Sequence, residues 1–266
     1  MSTKSIVPRE DIGFQTSNFE NAYCKQRHSK ANSSPSINIT NDVAKVAEVL
    51  DIAFAHSPQN DYCLKKFFNI PLTQKCSRER IKSILYYYTA MYNDMGGEIV
   101  EVNNFDAVAL FSKPGDHIDF DLTKDQKFNK TWFDDLDQVL EKILPDINNF
   151  YYLYMIGKNL TQKNVRGSVR KIFETYKEKA DKLDVPIVLE AISEHARSVY
   201  EYFGFKNYYT FRYGDGEVDS LGNLSSSGEG FVSYLMVYYN KPLLVDGPIH
   251  DSNKVGEVNG FLGNSD

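Results

Sequence analysis

The polar stretch KNLTQKNVRG, residues 158–167, joins an apolar run to a segment with helical periodicity. The first turn of a helix presents unpaired N–H groups and about half a unit of positive charge, so it attracts anions. Gly167 allows a ligand to approach the backbone closely, while Lys163, Arg166 and Arg170 add positive charge nearby. These residues predict a binding site for a phosphate or pyrophosphate group. The alternative interpretation is an ordinary solvated helix start.

A second stretch, LEAISEHARSVYEYFGF at residues 189–205, combines a strand end, a polar bend and a short helix that Gly204 stops. Tyr200 lies in the middle of that helix. Taken by itself, this pattern favours a packing role, because a buried tyrosine normally finds a hydrogen-bond partner such as a backbone carbonyl. His195 is interpreted as a surface residue at the helix start.

Apolar periodicity predicts the elements that position these two stretches. Two amphipathic helices come first, one capped by Asn41 or Asp42 and one that starts after Ser77 and ends at Gly96-Gly97. A β-hairpin follows, in which EIVEVNN and DAVALFSKPG flank an Asn-Asn-Phe-Asp turn. The remaining elements are a helix ending before Pro145, a strand at 151–157, a helix with its apolar face from Val169 to Leu183, a strand at 186–192, a helix at 195–204, and aromatic-rich strands at 205–214 and 231–239.

The strand–helix–strand unit at 151–192 requires a right-handed crossover and parallel pairing, whereas the flanking hairpins are antiparallel. The predicted fold class is therefore α/β, with a mixed and mostly antiparallel sheet, one parallel strand pair and flanking helices. Residues 37–244 are predicted to form one domain. Residues 1–36 contain SKANSSPS and few aliphatic side chains, which predicts a flexible N-terminal arm, and residues 245–266 are predicted to be a flexible C-terminal tail.

The composition is that of a soluble globular protein, with 266 residues, 42% hydrophobic and 25% charged. A formal net charge of −6 argues against a nucleic-acid or anionic membrane partner, which would need clustered Lys and Arg. No apolar run reaches the ~18 residues of a membrane span and the N-terminus lacks a signal-peptide core, so a cytoplasmic location is expected, with the nucleus as the alternative. The 3 cysteines and 5 histidines show neither disulfide nor metal-ligand spacing, so no metal is expected.

The stretch at 189–205 resembles a segment of the GNAT superfamily of acyl-CoA-dependent N-acetyltransferases. Members commonly show a strand ending in Leu-Glu-Ala, a polar bend, and a helix ending in Tyr-x-x-x-Gly-Phe. The matching residues here are Leu189, Glu190, Ala191, Tyr200, Gly204 and Phe205. The family's pyrophosphate loop, Gln/Arg-x-x-Gly-x-Gly/Ala, corresponds to Asn164, Val165, Arg166, Gly167, Ser168 and Val169. The predicted order of elements from about residue 37 to 240 is also similar to that fold.

The resemblance implies transfer of an acetyl group from acetyl-CoA to a primary amine of a small molecule or peptide, directly within a ternary complex. In similar enzymes the tyrosine at the position of Tyr200 protonates the leaving thiolate, and an ordinary pKa near ~10 keeps it protonated at neutral pH. A main-chain N–H near Ile156 would hold the oxyanion, and parallel strands that splay apart there would admit the pantetheine arm. Ala196 or His195 occupies the position of an asparagine that contacts the cofactor in many relatives.

The sequence leaves several alternatives open. The general base could be a chain of waters or one of three carboxylates, Glu190, Glu217 and Glu229. Asn164, Val165 and Val169 depart from the family loop, which supports a non-catalytic CoA-binding or regulatory module that retains the fold. An interaction domain without a cofactor is the third alternative. The oligomeric state, including a dimer, is not determined by the sequence.

An aromatic cluster lies on the second predicted helix and comprises Tyr86, Tyr87, Tyr88 and Tyr92. The first two helices border the acceptor groove in the resembled fold, so some of these rings could line that groove and hold an ammonium group. The alternative interpretation is plain core packing, because aromatic residues are abundant in this chain.

Overall fold

The computed structural model describes residues 36–116, 118 and 120–249, which form a seven-stranded sheet with helices packed on both faces. The strands are β1 Ile37–Ile39, β2 Glu98–Val102, β3 Ala107–Ser112, β4 Tyr151–Lys158, β5 Ile187–Ala191, β6 Lys206–Tyr213 and β7 Phe231–Tyr238. The helices are α1 Val43–Phe54, α2 Pro58–Phe67, α3 Arg78–Asp94, α4 Gln126–Asn129, α5 Leu136–Ile143, α6 Ser168–Leu183 and α7 Glu194–Tyr202. A π-helical segment, Lys130–Asp135, connects α4 to α5.

Side-chain caps fix the starts of the first and third helices at the predicted positions. The carboxylate of Asp42 accepts a hydrogen bond from the N–H of Lys45, and the hydroxyl of Ser77 accepts one from the N–H of Arg80. The predicted hairpin is also present, with its turn at residues 103–106 between β2 and β3. These local predictions are confirmed.

The strands are arranged in the order β1-β2-β3-β4-β5-β7-β6. Strands β4 and β5 are parallel, and the other neighbouring pairs of this described sheet are antiparallel. The predicted mixed, mostly antiparallel sheet with one parallel pair is therefore confirmed. Strand β7 inserts between β5 and β6, so the last of the described strands lies inside the sheet and β6 lies at its edge. The three-residue strand β1, which the sequence pattern does not predict, forms the other edge.

Helix α2 is also missing from the sequence-based prediction, and its buried face explains why. Two polar side chains, Asn60 and Lys66, are buried on this helix and interrupt its apolar periodicity. Lys66 pairs with Asp125 and with Glu217, the second contact being 2.6 Å from Nζ to Oε1. Both carboxylates are distant in sequence, so contacts across the fold stabilise this helix in addition to its local N-cap, in which the hydroxyl of Ser57 accepts a hydrogen bond from the N–H of Asn60.

The region before Pro145 differs from the single helix that its periodicity predicts. The structure divides it into α4, the π-helical segment Lys130–Asp135 and α5, which ends at Ile143. The extra residue in a π-helical turn rotates the following side chains relative to the preceding ones. Phe128, Trp132 and Leu136 all belong to the same hydrophobic cluster.

The C-terminal boundary of the domain lies in a segment that contacts the core. Residues 245–249 belong to the predicted tail, and Val245 and Ile249 pack against the same hydrophobic cluster as α5. The N–H of Ile249 donates to the carbonyl of Tyr208 at 2.7 Å. The rest of the tail, 250–266, and residues 1–35 of the predicted arm lie outside the described residues.

Among the described residues, no helix is long and apolar enough to cross a membrane. The same part of the chain contains no group of three or more His, Cys, Asp or Glu side chains that could hold a metal ion. Cys63 and Cys76 are free thiols, and Cys24 lies outside the described range.

The loop between β6 and β7 packs closely on the start of α2, and Gly222 makes this approach possible. Its φ is +84°, and a Cβ there would lie 2.6 Å from the backbone N of Gln59. We expect Gly222→Ala to lower the free energy of unfolding by about 2–4 kcal/mol, from the left-handed backbone and the clash together. Urea unfolding checks this value.

Gly216→Ala is the matched control for this prediction. Gly216 has a similar φ of +79°, but a Cβ there would meet no atom within 4 Å. Replacing Gly216 should therefore lower the free energy of unfolding only by the cost of placing Ala in a left-handed backbone conformation, about 1–2 kcal/mol. Equal destabilisation by the two changes would show that the contact with α2 is not what restricts position 222.

Candidate active site

A cavity of about 420 Å³ lies beside the ends of β4 and β5. Its walls come from α2 and the segment before it, from the π-helical segment, from both strands and from the start of α7. Ile156, Glu190, Ala196 and Tyr200 all line it. Three of these, Ile156, Ala196 and Tyr200, are site residues that the sequence predicts, and Glu190 is one of the candidate bases. A volume of this size is typical of a small-molecule site.

The cavity exists because the two parallel strands separate. Strands β4 and β5 pair only from Tyr151–Ile187 to Leu153–Leu189. Beyond that point β5 continues to Ala191 while pairing with β7, and β4 continues to Lys158 while pairing with β3. The facing edges of the two strands are thus left without a described strand partner, as the predicted splay requires.

A β-bulge changes the direction of the side chains of β4 inside this gap. Leu110 is opposite Met155 and Phe111 is opposite Leu153, so Tyr154 is an extra residue in β4. Leu153 packs on the α6 side of the sheet, whereas Tyr154 and Met155 both contact the opposite hydrophobic cluster. The bulge therefore places two consecutive side chains on one face.

After the bulge, Ile156 returns to the α6 side of the sheet, the side that Tyr151 also faces. Within one strand, residues whose side chains lie on the same face of the sheet have N–H groups that point towards the same neighbouring strand. The N–H of Tyr151 points towards β5, because it donates to the carbonyl of Pro186 at 3.0 Å. The N–H of Ile156 is therefore directed towards β5 as well, at a position where the gap has opened.

Tyr200 is held on α7, which begins at Ser193, whose hydroxyl accepts a hydrogen bond from the N–H of Ala196. The Tyr200 ring packs edge-on to Phe173, with 5.8 Å between ring centroids, and also contacts Phe205. No described residue forms a hydrogen bond with its hydroxyl, which differs from the carbonyl contact expected of a packing tyrosine. Burial raises the pKa of Tyr200 to about 12, so the phenol stays protonated at neutral pH.

Glu190 places a carboxylate group in the wall of this cavity. It accepts hydrogen bonds from Ser233 at 2.7 Å, Tyr213 at 3.2 Å and Tyr152 at 3.3 Å. Burial raises the pKa of Glu190, and these three hydrogen bonds oppose the shift only in part. A carboxyl group with a raised pKa accepts a proton more readily than an exposed one.

The other two candidate bases lie elsewhere. Glu217 accepts hydrogen bonds from Tyr62 and Lys66 in the ion-pair network under α2. Glu229 is exposed in the loop between β6 and β7. Neither Glu217 nor Glu229 lines the cavity. Of the three candidate bases named from the sequence, Glu190 is thus the one that the structure places in the cavity wall.

The predicted pyrophosphate loop lies at the start of α6, and none of its residues lines the cavity described above. Gly167 has a φ of +83° and precedes the first helical residue. Within the described chain, no oxygen accepts a hydrogen bond from the N–H groups of Gly167, Ser168 or Val169. Asn164 and Arg166 are exposed, and Val169 packs against the same cluster as Ile156, Ala196 and Tyr200.

Two contacts fix the shape of this loop. Lys158 donates to the carbonyl of Val165 at 3.2 Å and forms an ion pair with the buried carboxylate of Asp106 at 2.7 Å. The hydroxyl of Ser168 is buried and accepts a hydrogen bond from the side chain of Asn103 at 2.8 Å. The side chain of Ser168 thus tethers the loop to the β2–β3 turn.

The chain is similar to several known proteins. Uncharacterized protein YDR391C of Saccharomyces cerevisiae is 50% identical to this chain over 203 residues, which span 76% of this chain and 86% of that protein. The chain belongs to the YDR391C family. A family model described as the YOR012W acetyl transferase domain matches residues 38–117. Uncharacterized N-acetyltransferase C550.08 of Schizosaccharomyces pombe is 23% identical over 181 residues, 62% of this chain and 70% of that protein.

Solved structures show the fold of this YDR391C-family protein. The C-terminal condensation domain of Ebony matches with a TM-score of 0.50 and 14% identity, covering 77% of this chain and 98% of that domain. A candidate arylalkylamine N-acetyltransferase 7 from the mosquito Aedes aegypti matches with a TM-score of 0.51 and 11% identity, covering 77% and 87%. The resemblance to GNAT acetyltransferases is thereby confirmed, and the fold class with it.

In this protein with the GNAT fold, the cavity side chains that the sequence-based prediction missed include Asn60, Cys63 and Trp132. Asn60 is 5% exposed, and its Nδ2 has no hydrogen-bond partner among the described residues. Trp132, the single tryptophan of the chain, is 9% exposed, and the π-helical segment carries it to the cavity wall. Burial raises the pKa of the Cys63 thiol, so this cysteine stays protonated. The rarity of tryptophan was the one signal in the sequence that could have indicated Trp132.

The aromatic cluster on α3 divides between two environments. Tyr88 and Tyr92 are fully buried, and their rings stack with Tyr154 at centroid distances of 5.0 Å and 5.6 Å. Tyr86 and Tyr87 are exposed. None of the four lines the cavity that holds Tyr200.

Proposed function

We propose that this protein transfers an acetyl group from acetyl-CoA directly to a primary amine of a small molecule or peptide. One observation carries the proposal: Tyr200, Glu190 and the N–H of Ile156 meet at a single cavity where the parallel strands separate. These groups are a protonated acid, a carboxylate with a raised pKa and a backbone N–H directed towards the gap between the strands, which are the three functions that acyl transfer to an amine needs.

Each group has a distinct role in the proposed reaction. Glu190 takes a proton from the ammonium form of the acceptor, so that the neutral amine attacks the thioester carbonyl. The N–H of Ile156 donates to the oxyanion that forms when the new C–N bond is made. Tyr200 donates its proton to the sulfur as the C–S bond breaks, and its phenolate takes the remaining extra proton from the nitrogen, so that the neutral amide and free CoA leave. Glu190 then releases its proton to solvent.

The buried thiol of Cys63 supports direct transfer over an acetyl-enzyme intermediate. A cysteine nucleophile acts as a thiolate, and burial of Cys63 raises its pKa. Reaction of the amine with the thioester itself requires no thiolate from the protein.

The start of α6 is the proposed site for the CoA pyrophosphate. The N–H groups of Gly167, Ser168 and Val169 point out of the helix start without a described acceptor, and the helix dipole adds positive potential there. Arg166 is exposed beside them. Val169 packs on the cluster that also contacts Ile156 and Tyr200, so a ligand held at α6 lies on the side of the sheet that these residues face.

We expect Arg166→Glu to weaken acetyl-CoA binding by about tenfold or more, because it replaces attraction to the phosphates by repulsion. Isothermal titration calorimetry gives the affinity. Lys182→Glu is the control, since it makes the same charge change in the last turn of α6, about 21 Å along the helix from its start. Unchanged affinity of the Arg166 variant would remove this residue from the site.

The proposed function is tested with the purified full-length protein, acetyl-CoA and a panel of primary amines. Release of free CoA, measured with a thiol reagent, and mass spectrometry of the acetylated amine should both depend on the amine. Binding of acetyl-CoA without release of CoA would favour the non-catalytic CoA-binding alternative. Absence of any acetyl-CoA binding would overturn both.

A further inference from the structure

A second cavity, of about 360 Å³, lies next to the candidate active site. The two cavities share three wall residues, Trp132, Tyr152 and Tyr154. They are therefore separated by the thickness of these side chains. The second cavity extends from this wall between β4 and α5, away from α7 and Tyr200.

The walls of the second cavity are mainly aromatic. Its ring-bearing residues are Tyr92, Phe120, Trp132, Phe133, Phe150, Tyr152 and Tyr154. Leu136, Leu140 and Ile147 complete the apolar surface. The lining also includes the carboxylates of Asp137 and Glu141. Aromatic rings favour other rings in stacked or edge-on geometries, so the aromatic part of this surface suits an aromatic ligand group.

Packing holds these rings in fixed positions. Tyr154 stacks with Tyr88 and Tyr92, and Trp132 stacks with Phe128 at a centroid distance of 5.6 Å and meets Phe67 edge-on at 4.9 Å. A space of about 150 Å³ lined by apolar side chains already admits benzene. The second cavity is more than twice that size, so a ring with its linker fits.

Tyr152 connects this cavity directly to the chemistry. Its hydroxyl donates to Glu190 at 3.3 Å, and its side chain lines both cavities. A substrate whose nitrogen lies near Glu190 is therefore one side chain away from the aromatic cavity. A short alkyl linker covers that distance, because one side-chain thickness is a few ångströms.

We propose that the second cavity binds the aromatic side group of the acceptor amine, so that the substrate is an arylalkylamine or a peptide with an N-terminal aromatic residue. This inference rests on the proposed function and specifies its substrate class. Trp132, Tyr152 and Tyr154 lie between the two cavities, and Leu136 and Phe133 line the space that receives the ring.

The test compares 2-phenylethylamine with ethylamine, which share the reacting group and differ by the phenyl ring. For the wild-type protein, kcat/KM for 2-phenylethylamine should exceed that for ethylamine by at least about tenfold, from burial of the ring. Leu136→Phe, which fills the cavity, should remove most of this preference, because it lowers kcat/KM for 2-phenylethylamine more than kcat/KM for ethylamine. Leu183→Phe, the same change on an exposed position of α6, should alter neither amine.

Equal kcat/KM values for the two amines in the wild type would overturn the inference, as would a Leu136→Phe variant that lowers both equally. If that variant does not fold, Phe133→Ala replaces it, because Phe133 is only half-buried. The enlarged cavity should then favour 2-(1-naphthyl)ethylamine over 2-phenylethylamine, and an unchanged ratio counts against the proposal.

Failure of the proposed function gives a different result from failure of this inference. If no amine causes release of CoA, the acetyltransferase proposal fails, and calorimetric titration of 2-phenylethylamine then decides about the cavity. Binding to the wild type that Leu136→Phe or Phe133→Ala alters supports an aromatic site. Absence of binding refutes it.

Discussion

Tyr200→Phe should lower kcat by about 10²- to 10⁴-fold while the affinity for acetyl-CoA stays nearly unchanged. The substitution removes only the hydroxyl, so the ring contacts with Phe173 and Phe205 remain. Without the phenol, the sulfur leaves as an unprotonated thiolate. Burial raises the pKa of Tyr200 to about 12, so the acid is fully protonated over the neutral range and its loss should affect kcat equally from pH 6 to 9.

Steady-state kinetics with saturating amine, together with calorimetry of acetyl-CoA binding, measure this effect. Tyr202→Phe is the matched control, because Tyr202 lies on the same helix and is 65% exposed. Its turnover should stay within about twofold of the wild type. A Tyr200→Phe variant with normal kcat would eliminate this residue as the acid, whatever the control shows.

Glu190→Gln should lower kcat/KM by about 10²- to 10³-fold, because the amide cannot take a proton from the acceptor. The base acts in its ionised form, so the wild-type rate rises with pH as Glu190 loses its proton. Burial raises the pKa of Glu190 above the ordinary carboxyl value of 4.5. The rise in rate, which is the acidic limb of the pH profile, should therefore occur at a higher pH than for an ordinary carboxyl group. In the glutamine variant the limb attributable to Glu190 should be absent.

The same substitution has a second readout in stability. A carboxyl group with a raised pKa binds more protons in the folded state than in the unfolded state, so its contribution favours folding below the ordinary pKa of 4.5. This contribution declines as pH rises from 4.5 through the raised pKa. The free energy of unfolding of Glu190→Gln should therefore fall less over this window than that of the wild type.

Glu229→Gln is the control for both measurements, since Glu229 is exposed and outside the cavity. It should keep the wild-type pH profile and the wild-type pH dependence of unfolding. If the rate of Glu190→Gln retains the same acidic limb, another group is the base. A chain of waters leading to solvent would then be the alternative that the sequence had left open.

Local signals in the sequence determined the framework of this protein. Asp42 and Ser77 cap their helices through contacts three residues away, and the hairpin turn at 103–106 uses residues adjacent in the chain. Such contacts depend on neighbouring residues alone, so composition and spacing predict them. The segment around Tyr200 was also recognisable, because strand, bend and helix follow one another within 17 residues.

The composition of the candidate site was decided by tertiary structure. The opening between β4 and β5 depends on where two strands stop pairing, and the orientation of the Ile156 N–H depends on one extra residue, Tyr154, relative to β3. A bulge leaves no periodic signal in the sequence, because it is defined only against the partner strand.

Helix α2 and the aromatic cavity have the same origin. Lys66 is buried because Asp125 and Glu217 reach it from 59 and 151 residues away, and this places Asn60 in the cavity wall. Trp132 reaches both cavities through a π-helical turn between two short helices. Sequence periodicity reports interactions between neighbours along the chain, whereas these sites consist of contacts between segments that only the folded sheet brings together.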